Sequence, residues 1–336
     1  MALALSHCGS DDNPAGLAGN ATPYRLDVPA GFPALEIPRA NPLTVEGVEL
    51  GRLLFFDPIL SIDSTVACAS CHGPENAFSD SETFSRGVAG VTGRNSMSLL
   101  NVAWGPSFFW DGRAASLEEQ ALIPVEDPVE MGESWPHVVE KLARHPSYPA
   151  LFAAAFGARP ISKELAARAI AQFERTLISN QSKYDRYLAG EAELTLQEHQ
   201  GSVLFLASER GDCFHCHGTG LFTDNLFHNN GLDSLVADAG LGAITGNRLD
   251  EGKFKTPSLR NVEYTAPYMH DGRFTTLEEV VEFYNSGVHV TRNTPSDLIL
   301  AARVRRENPL TEEEKAALVA FLKTLSDPQS LQSQGP

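Results

Sequence analysis

A mainly α-helical fold built from two related modules in tandem follows from three features of this 336-residue chain. The pattern Cys-x-x-Cys-His occurs twice, at 68–72 and at 213–217. Residues 98–113 lie over residues 258–273 at a constant offset of 160, which marks an internal repeat. Apolar residues recur at helical spacing, whereas alternating strand patterns are scarce.

Each module reads in the same order. An early helix comes first: Arg52-Leu53-Leu54-Phe55 precedes the first motif as Ser202-Val203-Leu204-Phe205 precedes the second. A Gly/Asn-rich loop, an Asp-Gly-Arg turn and a helix opening at Leu-Glu-Glu follow, the last at 117–119 and 277–279. Between the modules the spacing predicts a helix from about Ser162 to Tyr187, with Ser162 as N-cap and Leu165, Ala169, Phe173 and Leu177 on one face. Thr311 and Glu314 form a capping box for a final helix with an apolar stripe of Leu318, Phe321, Leu322 and Leu325. The resulting division is a disordered tail over 1–24, a first module over 25–182, a second over 183–326 and a C-terminal tail over 327–336.

The formal net charge of −17 disfavours nucleic acid and anionic membranes as partners and would steer a basic protein; a merely acidic surface accounts for it equally well. No stretch approaches the roughly 18 apolar residues of a membrane span. The residues before Cys8 are too few for a complete export signal. Leu5-Ser6-His7-Cys8 faintly resembles a lipid-attachment site at Cys8, with His7 where a small residue belongs; a disordered tail is the plainer reading.

Four of the five cysteines form the two pairs Cys68/Cys71 and Cys213/Cys216. A Cys-x-x-Cys pair alone fits a redox dithiol or half a zinc site. A histidine directly after it is the c-type haem signature, in which two thioethers hold the porphyrin and an imidazole ligates iron. His72 and His217 are those imidazoles; a four-cysteine zinc site would leave both unexplained. Covalent haem c implies maturation outside the cytoplasm, hence a periplasmic protein.

The sixth iron position separates an electron carrier from an enzyme. No histidine lies between His72 and His137, and the methionines there are Met97 and Met131, so the first haem reads as open. For the second haem, the 160-residue offset places Tyr284 over Pro124. Tyrosinate is a hard, anionic haem ligand. Met269, which lies over Phe109, and His289 compete with it, as does the plain reading of Tyr284 as a core residue.

From about Glu49 to Leu325 the chain resembles the bacterial di-haem cytochrome c peroxidase and MauG superfamily. The motifs that carry the resemblance are Leu-Phe-Phe-Asp-Pro, Cys-Ala-Ser-Cys-His, Phe-Trp-Asp-Gly-Arg-Ala and Ala-Pro-Tyr-x-His-Asp-Gly. It implies two cytochrome c-like domains whose haems face a shared interface, with Trp110 as the bridge between them. It also implies Gln120 and Glu130 on the peroxide side of the first haem, and a calcium ion held by the Asn95 side chain and the Thr265 and Pro267 carbonyls. Conventional peroxidases of the family carry a histidine in the loop before the tryptophan and a methionine on the second haem. This chain has Val88-Ala89-Gly90-Val91 and Tyr284 at those places, as the MauG-like branch does. The surface tryptophan that MauG carries before its second motif is replaced by Arg210-Gly211-Asp212, which leaves the electron exit route and the protein substrate open.

The resemblance thus implies an enzyme that takes hydrogen peroxide to a high-valent di-haem state and oxidises residues of a secreted partner protein. A peroxidase fed by a small cytochrome or copper protein is second. A non-catalytic electron-transfer cytochrome is third, disfavoured by the open first haem.

Overall fold

The computed structural model describes residues 21–218, 220–295, 298 and 307–332. Cys8 and most of the expected N-terminal tail lie outside them. Helices dominate: α1 (Val45–Phe56), α2 (Leu117–Gln120), α3 (Ile123–Glu126), α4 (Trp135–Arg144), α5 (Tyr148–Phe156), α6 (Lys163–Glu174), α7 (Lys183–Leu188), α8 (Leu196–Leu206), α9 (Phe214–His217), α10 (Leu241–Thr245), α11 (Leu277–Glu282), α12 (Glu312–Lys323) and α13 (Pro328–Gln332). Among the described residues the strands are two antiparallel pairs, Arg86–Gly87 with Gly90–Val91 and Phe227–His228 with Phe254–Lys255.

Each half buries its own core. In the first, α1 and α6 pack around Leu50, Leu54, Trp135, Phe152 and Ile170; in the second, α8 and α12 pack around Phe205, Leu318, Phe321 and Leu322. The same device closes both helix pairs. A Cβ added at Gly51 would stand 1.9 Å from the Ala169 carbonyl oxygen, and one at Gly201 would stand 1.9 Å from that of Ala317. The expected apolar faces are buried, and the Thr311/Glu314 capping box forms.

Two expectations need correction. The helix anticipated from 162 to 187 is broken: α6 ends at Glu174, and α7 restarts behind a Ser182/Asp185 capping box. Side chains take over the intervening backbone groups. Asn101 bonds both the N–H and the carbonyl of Ser179, and Asp327 accepts from the Asn180 and Gln181 N–H groups. The C-terminal tail likewise does not begin at 327. Asp327 is 2% exposed, and α13 follows it, because this carboxylate is what satisfies that break.

Gly51→Ala and Gly201→Ala should each destabilise the fold by about 2–3 kcal/mol, since a backbone carbonyl cannot step aside as a side chain could. Thermal unfolding of the two variants checks this. Midpoints within a degree or two of the parent would show that the helices separate at little cost.

Candidate active site

The two histidines are held alike. His72 Nδ1 lies 3.0 Å from the Phe78 carbonyl oxygen, and His217 Nδ1 lies 3.1 Å from that of Phe222. A carbonyl only accepts, so Nδ1 carries the proton and Nε2 presents its lone pair, as an iron ligand must. Burial lowers the pKa of both rings and keeps them neutral. Phe78 and Phe222 reach these positions with φ of 56° and 53°, left-handed conformations fixed by further bonds to their carbonyls from the Leu99 and Leu259 N–H groups. Cys68, Cys71, Cys213 and Cys216 are unbridged, and they do not gather into one four-cysteine centre. Cys216, Asp224 and His228 do converge, but Cys216 belongs to the second motif, and Asp224 already accepts from His228 at 2.7 Å.

A cavity of about 560 Å³ opens beside His72, within the range of a buried ligand pocket. Trp110, Gln120, Pro124, Glu130 and Asn95 line it from the first half; Lys255 and Thr256 close it from the second. Among the described residues, His72 is the one histidine in its lining. His137 lies at the surface instead, its ring paired with Glu133 at 2.9 Å, and Met131 is buried in the first core. Burial and the Asp127 charge raise the pKa of Glu130 against the opposing pull of Arg113, which suits a group that must both hold and release a proton. The Glu130 backbone is pinned by a hairpin: the Val88 N–H donates to the Glu130 carbonyl (2.9 Å) and that of Ala89 to the Val129 carbonyl (3.3 Å). Gly87 is required there, since an added Cβ would lie 2.0 Å from the Val129 oxygen.

The halves meet at Trp110. Its indole N–H donates to the Asn95 carbonyl (2.8 Å), and its own carbonyl accepts from the Lys255 N–H (2.8 Å). Arg94 ties Asp111 to Asp238 across the same seam at 2.6 and 2.7 Å. The Asn95 amide nitrogen donates to the Glu82 carbonyl, which commits that end of the side chain and leaves Oδ1 for a cation. Among the described residues the Thr265 and Pro267 carbonyls accept no hydrogen bond. An amide oxygen and two backbone carbonyls are donors of the kind a hard cation prefers.

Tyr284 lies elsewhere, in a π-helical turn over Phe283–Gly287, a geometry frequent at functional sites. The Asn230 amide nitrogen stands 3.4 Å from the Tyr284 hydroxyl and 3.5 Å from the Met269 sulfur, so the two competing ligand candidates converge on one side chain. His289 is exposed. Asn230, Arg113 and Lys255 were not anticipated from the sequence. Burial pushes the Lys255 ammonium down to about 8. The signal for Lys255 was available in the 160-residue repeat; nothing marked Asn230 among the asparagines around it.

Residues 45–193 match the family described as di-haem cytochrome c peroxidase. The methylamine utilization protein MauG of Methylorubrum extorquens is 40% identical over 303 residues, covering 86% of this chain and 80% of that protein. The cytochrome-c peroxidase IdrP1 of a Pseudomonas species is 35% identical, covering 91% and 88%. A solved MauG-like protein associated with microbial copper homeostasis superposes with a TM-score of 0.83 at 38% identity, covering 92% of this chain and 97% of its own.

Behind the first motif, Glu174 is fully buried, one carboxylate oxygen has no partner, and burial raises its pKa to about 8 against the pull of Arg175. The folded state therefore holds a proton that the unfolded state releases above about 4.5. Stability should fall as pH rises from there and level off above about 8, by at most about 1.4 kcal/mol per pH unit. Glu174→Gln should flatten that slope in melting curves taken across this window; an unchanged slope would assign the dependence to other groups.

Proposed function

Because this chain belongs to the di-haem cytochrome c peroxidase and MauG family, whose members are peroxide-using oxidoreductases, we propose that it is a periplasmic, MauG-like enzyme that oxidises residues of a secreted partner protein. The observation that carries this reading is the cavity beside His72, which contains no second histidine and is lined by Gln120, Glu130 and Trp110.

In this reading Cys68, Cys71 and His72 would hold one haem c, and Cys213, Cys216, His217 and Tyr284 would hold the other. When bound, the haems would supply the redox chemistry that reduces peroxide. Gln120 orients the incoming peroxide by hydrogen bonding. Glu130 would take a proton from one peroxide oxygen and deliver it to the other, which departs as water. Trp110, held by Asn95 and Lys255, links the two halves. The Asn95 side chain and the Thr265 and Pro267 carbonyls would hold calcium at the seam and so tie the two halves together. A peroxidase fed by a small redox protein is the second reading, favoured by relatives of that activity at comparable identity.

The fully oxidised protein should react with peroxide at once, without prior reduction, and Glu130→Gln should slow that reaction by roughly 10²-fold. Stopped-flow spectra decide it: an oxidised protein that stays inert until one electron is added would return the chain to the conventional peroxidases. Rapid steady turnover with a reduced small cytochrome would favour the second reading.

Tyr284→Phe should alter the ferric spectrum of the His217 haem and leave that of the His72 haem unchanged. Should Met269→Leu produce that change instead, the ligand is the thioether.

A further inference from the structure

The seam repeats itself. The Asn95 N–H donates to the His270 carbonyl at 2.8 Å, and the Lys255 N–H donates to the Trp110 carbonyl at 2.8 Å. Both pairs obey the offset of 160, so Lys255 is the counterpart of Asn95, and His270 that of Trp110. The turns between them match as well, since the Phe108 N–H bonds the Ala114 carbonyl where the Tyr268 N–H bonds that of Phe274. By the same offset, Thr265 and Pro267 correspond to Gly105 and Ser107.

The Lys255 side chain runs to that counterpart of the cation site. Its Nζ donates to the Ser107 carbonyl at 2.5 Å, and a Cβ placed on Gly105 would stand 3.4 Å from the same nitrogen. No carboxylate is paired with it among the described residues, and the ring of Phe108 lies 5.5 Å away. In one half, an amide oxygen and two carbonyls would face the cation. In the other, the residue that would supply the amide oxygen supplies the cation itself.

We infer that Lys255 is a built-in cation that replaces calcium at the repeat-related position, clamping the 105–107 loop beside Trp110 without metal. This rests on the reading that Asn95, Thr265 and Pro267 hold calcium. A buried ammonium is costly unless its charge is answered. Here it serves the purpose that a divalent ion serves in the other half, to draw a turn of backbone carbonyls inward and hold it against the partner half. Lysine does so with one charge and three donors, and it cannot be removed by a chelator. The seam would therefore be calcium-dependent on one side only.

Calcium bound to the di-haem holoprotein, counted by elemental analysis after equilibration with calcium chloride and gel filtration, tests this. The parent should bind one calcium per chain. Lys255→Asn, which restores the amide oxygen, should bind two, and if it folds poorly then calcium added during production should rescue it. Asn95→Lys should bind none, and its melting midpoint should no longer respond to EDTA. A folded Lys255→Asn protein that stays at one calcium overturns the inference, as does a folding loss that calcium does not rescue, or an Asn95→Lys protein that still binds the ion. A parent without calcium removes the site at Asn95 itself, a failure distinct from that of its counterpart.

Discussion

Two backbone hydrogen bonds of 2.8 Å, exchanged between Asn95 and His270 and between Lys255 and Trp110, are the constraint on which the arrangement of this molecule depends. They place residues 95 and 110 of one half against 255 and 270 of the other. Each half completes its own core without them, but the cavity beside His72 is completed by residues of the second half, Lys255 and Thr256 among them, and Trp110 is held between Asn95 and Lys255. The Arg94 bridge between Asp111 and Asp238 lies at the same seam. A partly exposed arginine of this kind adds little stability by itself; its contribution is to fix the relative position of the two halves.

Much of this was legible in the sequence where a residue type has few alternative uses. The two Cys-x-x-Cys-His motifs and the 160-residue offset located both histidines and the paired turns, because spacing survives whatever packs around it. The capping box at Thr311 and the apolar stripe behind it read correctly for the same local reason. The break after Glu174 did not, since it is imposed by Asn101 and Asp327 from distant parts of the chain, and periodicity carries no trace of them. Asp327 was assigned to a polar tail on composition, although its carboxylate is almost fully buried.

The environment of Tyr284 marks another limit of sequence reasoning. The offset from Pro124 singled it out, but Met269 comes within reach of the same Asn230 amide through a left-handed backbone at φ 73°, which no spacing rule anticipates. The repeat carries one further correspondence. Laying Asn95 over Lys255 sets an amide against an ammonium at equivalent places, a difference that is invisible when either half is read alone.

The hairpin at 86–91 has a mechanical meaning for access to the cavity beside His72. Where a gating loop must swing aside to admit an oxidant, its backbone has to be loosely held in the closed position. Here the Val88 and Ala89 N–H groups are already spent on the Glu130 turn, and Gly87 sits too close to Val129 for any larger residue. Displacing the loop would strip two hydrogen bonds, about 1 kcal/mol each, and would drag Glu130 with it. This segment is a wall rather than a door, and returning a histidine to it would not by itself restore a lock.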